Sequence, residues 1–390
     1  MKKYCLNSLL ALLFLTHVSC MFGSSPEDTI DSANLVLGQT DFLTVSNNAG
    51  SSTSASSLSG PQSVFSDGTK LYIADTNNNR VLIWNSNPTS NKQAADVVVG
   101  QADMTSNSSG TTANTLTQPT AVYANGTKLF IADKGNNRIL IYDPIPTSNN
   151  ANASAVIGQE NSTSGGSNRS GTPSAKSLSN PTDVFYNGSK LFIADSGNNR
   201  VLVYDSLSTD AEAFAVIGKS DFVSGGSPSS IAANTLKNPS GVYATANKFL
   251  VCDKGHNRIL IYNFIPTSTS NTTGANANFV IGQTDLTSGS SGTSSSTLSG
   301  PTDIHANGDN DLLIADKDNN RVLIYDTIPG SNGASAHKVL GQAAFDKSSP
   351  NRGDSPEGNT LSGPTGVFSN GSTFWIADTV NNRALRFAGD

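Results

Sequence analysis

The sequence predicts an all-β protein, a closed ring of six four-stranded antiparallel sheets, and three observations lead there. A nine-residue segment ending in Arg recurs six times, the apolar runs beside it are short and unbroken, and the periodic part ends on a strand that its first strand could pair with. A length of 390 residues allows one such large β domain. Only 14% of residues are charged, against a usual share of about a quarter. Ser, Thr, Asn and Gly stand in their place, which disfavours coiled coils and long surface helices. With 24 Lys+Arg against 30 Asp+Glu and no basic block, the chain lacks the electrostatic footprint of a nucleic-acid binder. Three cysteines (Cys5, Cys20, Cys252) make no disulfide framework, and histidines at 17, 256, 305 and 337 match no zinc motif.

Residues 1–19 read as a secretory signal. Lys2 and Lys3 precede an apolar run from Leu9 to Leu15 that is too short to span a bilayer. Ser19-Cys20 resembles the lipobox of bacterial lipoproteins, with His17 where that pattern prefers Leu. The resemblance implies cleavage before Cys20 and its acylation; ordinary cleavage leaving a free Cys is the plainer alternative. Cleavage removes two lysines and no acid, so a net charge of −6 becomes −8. Residues 20–33 then form a lipidated tether, and the lipid is the expected hold on a membrane.

Residues 34–390 carry the repeats. Tyr72-Ile-Ala-Asp-Thr-Asn-Asn-Asn-Arg80 returns at 130–138, 192–200, 250–258, 313–321 and 375–383, and its Asp recurs at intervals of 58, 62, 58, 63 and 62. Each copy follows a Leu-x-x-Pro (Leu58/Pro61, Leu116/Pro119, Leu178/Pro181, Leu236/Pro239, Leu298/Pro301, Leu361/Pro364), and a Val-Leu-Gly-Gln-like element places Gly at 38, 100, 158, 218, 282 and 341. The innermost strand follows the Pro, which suits a strand start because it has no N–H to give. Pairs such as Asn187-Gly188 supply the αL-tolerant residues of a tight hairpin. A second strand, Lys190 to Ala194, leads through an Asp-x-x-Asn-Asn turn to a third, Arg200 to Tyr204. A fourth is Ala215 to Gly218.

The second and third strands are apolar on successive residues, so both faces of each sheet must be covered. Sheets stacked radially between neighbours meet that demand, which is the geometry of a six-bladed β-propeller. The periodic part opens on a fourth-type strand at Leu35 and closes on a third-type strand at Ala384 to Phe387. The N-terminal strand is therefore expected to pair with the C-terminal blade and close the ring.

Pro-x-x-Val, Leu-Phe-Ile-Ala-Asp and Asn-Asn-Arg-Val-Leu-Ile-Tyr resemble the NHL repeat. Gly-Gln-x-Asp-Phe and Leu-x-x-Pro resemble its long-loop, bacterial secreted version. The resemblance implies the propeller fold for residues from about 34 onward and leaves function open, because such propellers serve as protein-binding, RNA-binding, sensor and lyase modules.

Several groups of residues are candidates for chemistry. The pairs Asp75/Arg80, Asp133/Arg138, Asp195/Arg200, Asp253/Arg258, Asp316/Arg321 and Asp378/Arg383 recur in every blade as structural turn repeats, which marks them as what builds a blade: Asp accepts turn N–H groups and Arg pairs with a carboxylate. Function is better sought where copies differ. Two residues after the Pro stand Ser63, Ala121, Asp183, Gly241, Asp303 and Gly366. Asp183 and Asp303 are candidates to share a Ca²⁺ over the channel, although Ca²⁺ wants six to eight oxygens; the plainer reading is a pair of solvated acids.

His256 replaces a turn Asn, and His305 takes a position held elsewhere by Phe or Tyr; both read as structural substitutions. Cys252 reads as a buried small residue. Lyases of similar architecture rely on catalytic histidines, and neither such a set nor a Gly-x-Ser-x-Gly elbow is evident. No catalytic residue is assigned.

The loops from a fourth strand to the next innermost strand, expected at roughly 12 to 17 residues, are rich in Ser, Gly, Thr and Asn, which suits a recognition face. One contains Arg352-Gly353-Asp354-Ser355-Pro356, which resembles an integrin-binding segment; an incidental match in a polar loop is the alternative. The reading these features support is an exported, lipid-anchored, monomeric propeller that binds a protein or glycan outside the cytoplasm through its long-loop face, with no nucleic-acid partner and no cofactor beyond a possible Ca²⁺. The alternatives are a metal-dependent, lactonase-like or lyase-like enzyme using Asp183 and Asp303, and an architectural surface protein.

Overall fold

The computed structural model describes residues 31–267 and 273–388; the expected signal segment and Cys20 lie outside them. Twenty-four strands form six four-stranded antiparallel sheets, joined by short 3₁₀ turns. In the third blade the strands are Pro181–Tyr186, Leu191–Asp195, Arg200–Tyr204 and Ala215–Ile217, ordered from the axis outward. Residues 191–195 and 200–204 are buried on both faces, as unbroken apolar runs require. Phe192 stacks on Phe249 of the next blade at 4.9 Å, one of the contacts by which neighbouring sheets cover each other.

The innermost strands stand in a ring. Pro181–Tyr186 lies against Pro119–Ala124 on one side and Pro239–Ala244 on the other, and Pro61–Ser66 meets Pro364–Ser369. The first strand, Leu35–Leu37, pairs antiparallel with the last, Arg383–Ala388, in the register Leu35↔Arg386 to Leu37↔Ala384, so the sixth sheet contains both ends of the periodic chain. The packed structure begins a little before residue 34: the Ala33 N–H donates to the Gly358 carbonyl at 2.8 Å, and Lys338 reaches Asp31 at 2.6 Å.

Two local devices are repeated around the ring. Pro181 opposes Asp195, and a bulge follows before Asp183 opposes Ala194. The bulge leaves Thr182 free to donate its hydroxyl to the Pro239 carbonyl of the next blade at 3.0 Å. Gly38 and its five counterparts sit at φ between +86° and +92°. A Cβ on Gly218 would lie 2.6 Å from Leu236, the Leu of the following Leu-x-x-Pro, so the two motifs form one packing unit. The Asn-Gly hairpins differ from expectation in one respect. Only the Gly takes the left-handed conformation (Gly188, φ +94°), while Asn187 Oδ1 accepts the N–H groups of Ser189 and Lys190 as an Asx turn.

The loops between a fourth strand and the next innermost strand are longer than expected. They span 38–60, 100–118, 158–180, 218–238, 282–300 and 341–363, because each runs from the Gly of the Val-Leu-Gly-Gln-like element through the Leu of Leu-x-x-Pro.

The repeated Asp enters its turn and the repeated Arg follows it, as the motif implies; what differs is that the Asp accepts no turn N–H and takes one from the long loop instead, as Asp195 does from Ser179. Asp75, Asp133, Asp195, Asp253, Asp316 and Asp378 end a second strand. Arg80, Arg138, Arg200, Arg258, Arg321 and Arg383 begin a third, and each faces its Asp directly across the ladder. The physical reason is the residue before each Arg, an Asn in the left-handed conformation (Asn137, φ +54°), which completes the reversal and returns the chain to extended geometry at the Arg.

All twelve of these side chains are fully buried, and they hold the long loops. In the third blade Arg200 Nε donates to Asp195 Oδ2 at 2.7 Å, Nη2 donates to the carbonyls of Ser174 and Ser177 at 2.9 and 3.0 Å, and Nη1 donates to the Phe222 carbonyl. Asp195 Oδ1 accepts the Ser179 N–H at 2.7 Å, and Oδ2 also accepts Asn198 Nδ2. One Arg thus ties the loop before its blade to the loop after it.

The other blades repeat the pattern. Nε of Arg80, Arg138, Arg321 and Arg383 meets its carboxylate at 2.7 Å and that of Arg258 at 2.8 Å. Nη2 of Arg138 donates to the carbonyls of Thr112 and Thr115, that of Arg258 to Ala232 and Thr235, and that of Arg321 to Ser294 and Thr297. The sixth blade closes on the N-terminal loop through Arg383 and the Phe42 carbonyl. Arg200→Ala would strand a buried carboxylate and free three loop carbonyls. It is expected to lower unfolding free energy by about 3–5 kcal/mol in a urea titration; a loss under about 1 kcal/mol would mean that the guanidinium does not hold the loops.

Candidate functional site

The ring encloses an axial channel whose chemistry changes in layers. At the hairpin end, side chains four residues after each Pro form a closed ring: Phe65, Tyr123, Phe185, Tyr243, His305 and Phe368, with successive centroids 4.7 to 5.2 Å apart. Their tilted and edge-on contacts are those that aromatic quadrupoles favour. His305 belongs to this plug. Burial among the rings pushes its pKa down to about 3, which keeps it neutral, and its Nδ1 accepts the Ser369 N–H at 3.2 Å. A cavity of about 30 Å³ separates the plug from the next layer.

That layer holds Ser63, Asp183 and Asp303 alternating with Ala121, Gly241 and Gly366. Each acid bridges two blades. Asp183 Oδ1 accepts the N–H of Val184 at 2.8 Å and Oδ2 that of Val242 at 2.7 Å; Asp303 does the same with Ile304 and Val367 at 2.8 and 2.9 Å. Ser63 Oγ accepts the Val122 N–H at 3.3 Å. The small residues between are sterically required. A Cβ on Gly366 would lie 2.7 Å from the Gln62 carbonyl, and one on Gly241 would lie 3.0 Å from Asp303 Cα.

These acids are part-buried wall residues that satisfy edge-strand donors, a role distinct from that of freely solvated acids. All four of their oxygens already accept a backbone N–H. Among the described residues no set of three or more His, Cys, Asp or Glu side chains converges on one point. The pair is therefore short of the oxygen shell that Ca²⁺ needs, and the residues present do not fit that ion. Burial raises both carboxyl pKa values; Asp303 is pushed up to about 7, and the Asp303 charge adds to the rise at Asp183.

Above the acids, hydroxyls tie each blade to the next through the carbonyls of the following blade. Thr120, Thr182, Ser240 and Thr302 bond to Pro181, Pro239, Pro301 and Pro364, and Thr365 bonds to Gln62. Gln62 has no hydroxyl, and Thr76 makes the corresponding link to Pro119 at 2.7 Å. The channel then opens on the long-loop face into a pocket of about 280 Å³.

Lys134, Lys254 and Lys317 stand at this mouth, each directly after the Asp of a repeated turn. The six blades carry Thr76, Lys134, Ser196, Lys254, Lys317 and Thr379 at that position, so the repeats differ here on the very face where the loops gather. The sequence signal for this site is the one that marks the position two after the Pro, divergence among six otherwise matching copies.

The other singled-out residues fall into structural places. Arg80, Arg138, Arg258 and Arg321, like Arg200 and Arg383, are spent on their carboxylates and loop carbonyls, and none of them lines the pocket. His256 Nδ1 meets Asp253 Oδ2 at 2.8 Å, the contact that Asn makes in the other blades. Cys252 is fully buried. Arg352 lies in a left-handed turn (Asn351 φ +48°, Arg352 φ +60°) that Asn48-Ala49 and Asn168-Arg169 repeat in two other loops. Its guanidinium folds back toward the Gln342 carbonyl at 3.5 Å, while Asp354 is exposed and accepts the Ser355 N–H at 2.8 Å. The loop therefore does not extend both charges outward together.

No protein-family model and no curated protein matches the chain. Among solved structures it is similar to hydrazine synthase of Kuenenia stuttgartiensis, at 14% identity and a TM-score of 0.48 over 85% of this chain and 96% of that one. It is also similar to virginiamycin B lyase from Staphylococcus aureus, at 12% and 0.45 over 86% and 97%, and to a chain of the nidogen/laminin complex, at 13% and 0.42 over 72% and 79%. No activity carries across at these values.

The acid layer has a pH consequence. A folded carboxyl at about 7 binds a proton that the unfolded chain, near the usual 3.8, has released. Stability therefore falls as pH rises between those values. Asp303→Asn is expected to flatten the decline in melting temperature from pH 4.5 to 7.5 relative to the parent protein; parallel curves would contradict the raised pKa.

Proposed function

We propose that this protein is an exported, lipid-anchored propeller of the NHL-repeat type that binds a protein or glycan partner outside the cytoplasm through its long-loop face. The observation that carries the reading is the gathering of blade-to-blade variation at the centre of that face, around a concave pocket, while the rest of each repeat is committed to its own architecture. The buried Asp–Arg pairs support it as well, because loops held by several hydrogen bonds form a face that needs little ordering on binding. The charged, apolar and small-residue pattern of residues 1–20 supports export and acylation at Cys20. Asp183 and Asp303 are accounted for as donor-satisfying wall residues, which leaves the metal-dependent reading without a favouring observation.

Two experiments test this. Full-length protein released from membranes in detergent would be passed over glycan and extracellular-protein arrays, and each saturable hit compared among variants. Lys254→Glu, at the loop face, is expected to weaken binding at least tenfold, and Lys70→Glu, on the hairpin face, to leave it unchanged; the reverse pattern, or no saturable hit, would overturn the assignment. For the anchor, Cys20→Ser is expected to abolish incorporation of a labelled fatty acid and move the protein to the soluble fraction. Retained label would place the acyl group elsewhere.

A further inference from the structure

The mouth of the axial channel has a charge pattern that the blade architecture does not require. Three of six equivalent positions are lysine and three are Thr or Ser, although every blade folds alike. The ammonium groups of Lys134 and Lys254 have no hydrogen-bond or ion-pair partner among the described residues, and that of Lys317 reaches the exposed Asp318 at 3.1 Å. Lys254 is depressed below the usual lysine range first by burial, then by the neighbouring charges of Lys317 and Lys134, with Asp318 opposing. Asp318, at the rim, is the acid beside these three cations, and like charges drawn together at one concave mouth attract an anion.

The remaining groups at the pocket narrow what could fill it. The hydroxyls of Thr120, Thr182, Ser240 and Thr302 already donate to carbonyls of the next blade, so the ammonium groups are the main free donors. Asp183 and Asp303 line the same pocket, with each of their oxygens accepting a backbone N–H, and burial favours their neutral form. A volume of about 280 Å³ is at the small end for ligand sites and suits a compact ligand better than a peptide. Lysines from blades two, four and five line this one pocket, and three ammonium charges favour an anion that carries more than one negative charge.

We infer that the axial pocket of the long-loop face is a binding site for a small multivalent oxyanion, a polycarboxylate or a phosphate ester, with Lys134, Lys254 and Lys317 as its cationic contacts. This deepens the binding reading by naming the chemistry at the centre of the face. It is tested with free anions, so its outcome is separate from whether the surrounding loops take a partner.

The test is isothermal titration of the full-length protein with citrate and with pyrophosphate at 150 mM NaCl, with chloride and glycerol as controls. The expected result is saturable binding at one site per chain for at least one of the two. The tighter of the pair tells the polycarboxylate source from the phosphate source. Lys134→Gln with Lys254→Gln should weaken that binding at least tenfold without lowering the anion-free melting temperature, since it relieves like-charge repulsion, and Lys254→Arg should retain most of it. Absence of saturable heat with both anions, or equal affinity in the double glutamine variant, would overturn the assignment.

Discussion

The structure depends most on one interaction, the buried pair between the Asp that enters each turn and the Arg five residues later. A desolvated guanidinium beside a desolvated carboxylate is tolerable only when the remaining donors and acceptors are also met. Here they are met by loop backbone: Arg200 reaches the carbonyls of Ser174, Ser177 and Phe222, and Asp195 takes the Ser179 N–H. The arrangement explains how loops of low apolar content pack on a ring. They bury little hydrophobic surface of their own and are fixed by charge-assisted hydrogen bonds to the best-buried ions in the protein. It also explains why the Asp and the Arg of the motif recur in all six copies, since each Arg serves two successive loops and a weak link would loosen both.

A second constraint operates at the axis. Six innermost strands present backbone edges to one narrow channel, where every unpaired N–H needs an acceptor and every added atom competes for space. The chain answers by alternation. Ser63, Asp183 and Asp303 reach across to the next blade, and Ala121, Gly241 and Gly366 make room for it. The aromatic ring below closes the channel by packing, and the hydroxyl layer above joins blade to blade. At the mouth on the loop face, the ammonium groups of Lys134 and Lys254 bond to no neighbour among the described residues.

The architecture was legible in the sequence because its causes are local and repeated. The interval between the Asp residues marks the blade, the unbroken apolar strands mark burial on both faces, and the strand types at Leu35 and Ala384 mark the pairing of the two ends. His256 and His305 were legible too, each standing where five counterparts showed what the site accommodates. Less was legible where a role depends on convergence across blades. The pairing of Arg138, Arg258 and Arg321 with a carboxylate was readable from the motif, but the two loops that each of them joins were not, because those carbonyls lie more than twenty residues away. Nothing in the spacing of Asp183 and Asp303 indicates that their oxygens meet Val242 and Val367, because those bonds run between strands about 60 residues apart. Arg352 reads as a free charge until the turn it shares with Arg169 folds it against its own loop. The lysine cluster likewise needs the ring to close before three positions far apart in sequence share one mouth.

The Asp–Arg pairs make the long loops part of the folded ring. Native-state hydrogen exchange tests it most directly, at the amides of Ser59, Thr117, Ser179, Lys237, Ser299 and Ser362, each of which donates to the Oδ1 of a repeated Asp. If the account holds, these six loop amides exchange as slowly as those of the central strands, through opening of the whole blade. Exchange at the rates of freely solvated amides, beside protected strands, would show that the loops open independently and would contradict it.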